Sequence, residues 1–117
     1  MRKFILLSTV LALSACASST TSTPAQAVFT ADSTLAGAEI LAGNYKALPL
    51  CGAGAPTACA SPAVVVQIMA IDTQANTVMG PLVTAAQNGT VITTVEADAA
   101  QAAVAALTNY LTSQGIK

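Results

Sequence analysis

Residues 93–111, "TTVEADAAQAAVAALTNYL", leave the backbone little choice. Alanine dominates the stretch, and alanine is the strongest helix former while contributing almost nothing to a strand. Thr93-Thr94-Val95-Glu96 places a threonine three residues before a glutamate, the pattern of a capping box, with Thr93 as N-cap and Glu96 at N3. Asp98 adds a negative charge in the first turn, where the helix dipole favours it. Ala97, Ala100, Val104, Leu107 and Leu111 then recur at steps of three and four and form one buried stripe, with Tyr110 beside it. Gly115 ends the run. A chain that contains this segment must fold around a helix with a narrow, small-residue face.

Two other stretches carry the same period. Ala31, Leu35, Ala38, Ala42 and Tyr45 define a first helix over about 31–48, with Asp32 or Ser33 as the start and Pro49 as the stop. Gly37 and Gly43 weaken it by about 1 kcal/mol each relative to alanine. Ser61-Pro62 opens a second helix as N-cap and first-turn proline. Val64, Ile68, Ile71, Ala75, Val78, Leu82 and Ala85 keep its apolar step. Gly80-Pro81 interrupts this segment, and an interior proline costs about 3 kcal/mol. Because the apolar step survives beyond Pro81, a kinked helix that continues to about Gln87 is expected rather than a stop. Asn88-Gly89 closes it through a left-handed residue. The helices are thus placed at about 31–48, 62–87 and 94–113.

A β reading competes locally. "VVV" at 64–66 and "TVITTV" at 90–95 have strand propensity, and Asn88-Gly89 is a hairpin signal. The helical step nevertheless holds for about 20 residues in the second and third segments. The expectation is an all-α fold, a small antiparallel three-helix bundle with short connections.

Alanine is the largest single part of the 54% apolar fraction, aromatic residues make up 3%, and charged residues 8%. A core built on large rings is therefore not available, and so thin a core favours self-association or packing on another protein.

The N-terminus reads as an export signal. Met1-Arg2-Lys3 is positively charged, and Phe4–Leu13 is an apolar run of ten residues. That is half the roughly 20 residues needed to span a bilayer as a helix, and it suits the hydrophobic region of a secretory signal. Leu13-Ser14-Ala15-Cys16 follows, an aliphatic residue, two small ones and a thiol. This arrangement resembles the lipobox of bacterial lipoproteins. The resemblance implies cleavage between Ala15 and Cys16, acylation of the Cys16 sulfur, and attachment to a membrane through the N-terminal lipid. The competing interpretation is an ordinary secretory signal that cuts near a chance cysteine. In the lipoprotein family an aspartate after the cysteine retains the protein at the inner membrane. Ala17 stands there instead, so the resemblance implies the outer membrane, facing the periplasm. The expected organisation is a signal peptide at 1–15, a lipidated flexible tether at 16–30 that includes "ASSTTSTP", and a helical domain at 31–117.

With Cys16 assigned to the lipid, Cys51 and Cys59 remain, in a compartment that is oxidising if the chain is exported. Seven residues separate them in the Gly-, Pro- and Ala-rich stretch "LPLCGAGAPTACASP", which connects the first two helices. Such a loop lets the two Cα atoms approach to disulfide distance. A metal site would need further ligands, and the chain has no histidine. A redox pair would normally have two residues between the thiols. A structural disulfide between Cys51 and Cys59 is expected.

Catalytic and ligand-binding patterns do not emerge. Gly52 and Gly54 have no following lysine to make a phosphate loop. Without histidine no serine has its usual base. Glu96 and Asp98, spaced by two, point to different helix faces and suit a helix start better than an acid–base pair. Asn88-Gly89-Thr90 matches a glycosylation sequon, but a helix C-cap is the simpler account. Removal of residues 1–15 leaves two lysines against five acids, a net charge of −3, which argues against a nucleic-acid partner. No cofactor, metal, small-molecule substrate or enzymatic activity is expected.

The expectation is a lipid-anchored envelope protein of structural or interaction type, whose partner is a second copy or another envelope protein. Two other roles are open. Lys117 ends the chain, and the order of lipobox, Ser-rich start, helices and terminal lysine resembles the major outer-membrane (Braun) lipoprotein. That resemblance implies attachment of Lys117 to peptidoglycan, although Gly115-Ile116 replaces the Tyr-Arg that precedes the lysine in that family. The third role is a lysis lipoprotein of the phage outer-membrane spanin type.

Overall fold

A computed structural model of the chain describes residues 22–117. Three helices follow one another: α1 (Pro24–Lys46), α2 (Pro62–Gln87) and α3 (Thr94–Ser113). Each packs against both of the others, and no strand occurs among the described residues. Ala15 and Cys16, with the expected cleavage and lipidation, lie outside the described residues.

The direction of each helix follows from its neighbours. Glu39 near the middle of α1 accepts a hydrogen bond from the Asn76 side chain of α2 at 2.8 Å, and Tyr45 at the end of α1 meets Ser61 at the start of α2. These two helices are therefore antiparallel. Ala27 and Ala31 share a groove with Val104 and Thr108, whereas Leu41 and Tyr45 share one with Gln114 and Ile116, so α1 and α3 run parallel. The α1 N-terminus, the α2 C-terminus and the α3 N-terminus consequently sit at one end of the bundle.

The expected boundary of α1 needs correction. It begins at Pro24, not near residue 31, so residues 24–30 belong to the bundle rather than to a tether. Neither Asp32 nor Ser33 caps it. Thr23 is the N-cap: its hydroxyl accepts the Gln26 N–H at 3.2 Å, and the Gln26 side chain accepts the Thr23 N–H at 2.9 Å. Pro24 occupies the first turn, where its missing N–H costs nothing. Ala27 and Val28 extend the buried stripe by one turn. The helix also ends earlier than residue 48. Ala47 closes it, and the Leu48 N–H turns back to the Tyr45 carbonyl, ahead of Pro49.

The helix α2 runs through Pro81, which is exposed, and ends at Gln87. Ser61 is its N-cap residue but makes no side-chain capping bond. At its other end Gly89 takes φ 70°, the Thr90 N–H reaches the Ala85 carbonyl, and the Gly89 N–H reaches that of Ala86. This is a Schellman closure. The helix α3 ends in the same way on Gly115, with Ile116 bonded to Leu111 and half-buried against the core.

The start of α3 matches its sequence signature. The Thr93 hydroxyl accepts the Glu96 N–H at 3.2 Å, and the Glu96 carboxylate accepts the Thr93 N–H at 2.8 Å and its hydroxyl at 2.9 Å. These bonds hold the Glu96 carboxyl below the ordinary glutamate range. Ile92 and Ala97, the N′ and N4 positions of a hydrophobic staple, are both buried.

Alanines make up half of the buried apolar set. The large fully buried side chains are Val28, Ile68, Met79, Leu107 and Leu111. All five residues expected to form the α3 stripe are buried, as are Ala31, Leu35, Ala38 and Ala42 of α1. In α2 the deepest residues are Ile68, Ala75 and Met79, whereas Val64, Ile71, Val78, Leu82 and Ala85 are half-buried.

Candidate interaction surface

The connection from α1 to α2 is closed by a bond between Cys51 and Cys59, whose Cα atoms are 4.9 Å apart. Both cysteines are half-buried. The loop is further held by a parallel bridge: the Cys51 N–H donates to the Ala60 carbonyl at 2.9 Å and the Ala60 N–H to the Pro49 carbonyl at 2.8 Å. Ala60 is fully buried at the base of the loop. Gly54, at φ 78°, turns the chain between the cysteines in a conformation that a side chain would strain.

One bond here has no sequence signature. The Ser61 N–H donates to the Tyr45 hydroxyl at 2.8 Å, joining the last turn of α1 to the first residue before α2. It satisfies an N–H that the start of α2 would otherwise leave without a partner.

The outer faces of the helices are poor in charge. On α1, Phe29 and Ile40 point away from the buried stripe, and on α2 Val66 and Met69 do the same. The hydroxyls of Thr30, Ser33, Thr34, Thr73, Thr77 and Thr84 donate to the carbonyl four residues back in their own helix. Bound in this way, a threonine turns its methyl group outward and is less polar to a partner than its composition suggests. Val91, in the connection before α3, and Val95, on the back of the first turn of α3, are the most exposed large apolar residues, at 87% and 78%.

A groove between α1 and α3 is lined by alanines, Val104, Thr30, Thr34, Thr108, Gln101 and Asn109, with no charged side chain. Among the described residues no cluster of Cys, Asp and Glu could hold a metal ion, and no helix is long and apolar enough to cross a membrane. Glu96 and Asp98 are both exposed and stand at the α3 start, where Glu96 acts as a cap. Lys117 is exposed at the opposite end of the bundle. Among the described residues, the structure therefore brings together two of the sets singled out in the sequence, the Cys51–Cys59 pair and the Thr93–Glu96 capping box.

Comparison with protein-family models, with curated proteins and with solved structures finds no match for this chain.

Proposed function

We propose that the chain is a lipid-anchored protein of the bacterial cell envelope that acts by contact, through its helical surface, rather than by catalysis. Its anchor is the acylated Cys16, and its place is the periplasmic face of the outer membrane. The observation that carries this reading is the outward display of Phe29, Ile40, Val66 and Met69 on a surface with few charges. Such side chains gain free energy only when another surface covers them. The Cys51–Cys59 clasp supports export, since structural disulfides persist in oxidising compartments.

The test is crosslinking of the full-length product in its native envelope, followed by mass spectrometry. Intact mass should show loss of residues 1–15 and an acyl addition at Cys16, and Cys16→Ser should abolish both. Crosslinks should join the outer faces of α1 or α2 to an envelope protein or to a second copy. A product that keeps residues 1–15 with a bare Cys16 thiol overturns the anchor. An acylated protein without crosslinks from these faces overturns the contact role.

A further inference from the structure

We infer that the end of the bundle formed by the starts of α1 and α3 seats in the lipid surface, with Val91 and Val95 as the side chains that enter it. The inference rests on the proposed lipid at Cys16 and adds to it a second, non-covalent membrane contact.

The first support is chain length. Cys16 stands seven residues before Thr23, the cap of α1. An extended chain covers at most about 3.6 Å per residue, so whatever path it takes, the α1 start lies within about 25 Å of an acylated Cys16. The helix α3, at 1.5 Å per residue, places the opposite end about 30 Å further away. Leu50, Val66 and Met69 belong to that far half. Val91 and Val95 stand at the near end, because α1 and α3 run parallel.

The second support is the composition of the near end. Val91 points out while its neighbour Ile92 is buried, and Val95 sits opposite the buried Ala97 and Ala100. Neither valine is needed by the core, and a polar residue would satisfy either position. Gln87, Asn88, Thr90 and Thr94 around them are uncharged. Asp98 stands exposed one turn after Val95 on the same side of α3, and the Glu96 carboxylate is folded back onto the Thr93 N–H and hydroxyl. It remains ionised near neutral pH, so the seat is shallow and favours zwitterionic over anionic lipid.

The chain contains no tryptophan, so a single introduced one reports alone. Full-length protein, processed in cells, is reconstituted into phosphatidylcholine vesicles carrying bromine on the acyl chains. Val91→Trp, Val95→Trp and, as the far-end control, Val66→Trp are compared, with intact mass recorded on the same samples. The expected result is emission at positions 91 and 95 that shifts to the blue and is quenched roughly twofold or more beyond that at 66, as for side chains at the headgroup–acyl boundary. Acylated protein in which position 91 is quenched no more than position 66 overturns the seat and leaves the anchor standing. A blue shift without quenching that grows with protein density means that a second copy covers Val91, and also overturns it. Absence of the acyl mass overturns the anchor and the seat together.

Discussion

At the scale of single residues, the bonds that matter join backbone to side chain. Tyr45 contributes its ring to the α1 stripe, but its hydroxyl holds the Ser61 N–H across the clasped loop. Tyr45→Phe keeps the ring and removes the acceptor. A loss of about 1 kcal/mol is expected in urea unfolding, the usual net value of such a bond. Glu96 gives a pH signature. Its folded carboxyl titrates below the ordinary glutamate value because the Thr93 N–H and hydroxyl bond to its charged form. A lowered folded pKa means stability that is whole above the unfolded value near 4.5 and is lost as pH falls through the folded one. Thermal melts should therefore be flat from pH 7 to about pH 5 and decline below that. Glu96→Gln should remove this part of the decline while retaining a capping box, since Gln26 fills the same role at the start of α1. An identical acid limb in the variant would show that other carboxylates control it.

At the scale of elements, legibility tracked how far the local signals agreed. In α3 the capping box, the alanine run and the stripe all pointed to one helix, and its ends and buried face were readable residue by residue. In α1 the signals conflicted. The Thr- and Ser-containing run before residue 31 resembles a solvated tether, and that composition obscured Thr23-Pro24-Ala25-Gln26, a cap as complete as that of α3. Val28, fully buried, distinguishes the two descriptions. Val28→Ala should cost about 2 kcal/mol through two lost methyl groups and the space they leave, whereas the same change in a tether would cost nothing. In α2 the period was legible and included Ile68 and Ala75, two of the three buried residues, but it passed over the third, Met79. The half-buried Val64, Ile71 and Val78 stand on one flank of a face that serves both α1 and α3, and Met79 lies on the other side of Ile68 and Ala75. The period of a sequence does not say how many neighbours a helix has. Pro81, exposed in the last quarter of α2, leaves the Thr77 carbonyl without its helical donor. Pro81→Ala should raise the midpoint of thermal unfolding, with a gain of up to about 3 kcal/mol.

At the scale of the whole molecule, the thin core determines how much the clasp contributes. Alanine lets three helices approach closely, but each buried alanine removes little apolar area from water, so the margin from packing is small. The clasp acts on the other side of the equilibrium. In the chain-entropy account, a nine-residue closed loop restricts the unfolded chain by about 2.5 kcal/mol. Both cysteines could be assigned to one bond from the sequence because only two remained once Cys16 was set aside. The bridge between Leu50 and Ala60 was not visible, since it depends on the path that the closed loop takes. Replacing both cysteines with serine should therefore lower the urea midpoint by an amount equivalent to about 2.5 kcal/mol. The steepness of unfolding should also rise slightly, because the freed chain exposes more surface. Helix content by circular dichroism in the absence of denaturant should be retained if the three helices supply the fold by themselves. A variant that loses helix content outright would instead show that the bond is a condition for assembling α1 on α2, not an addition to a bundle already stable.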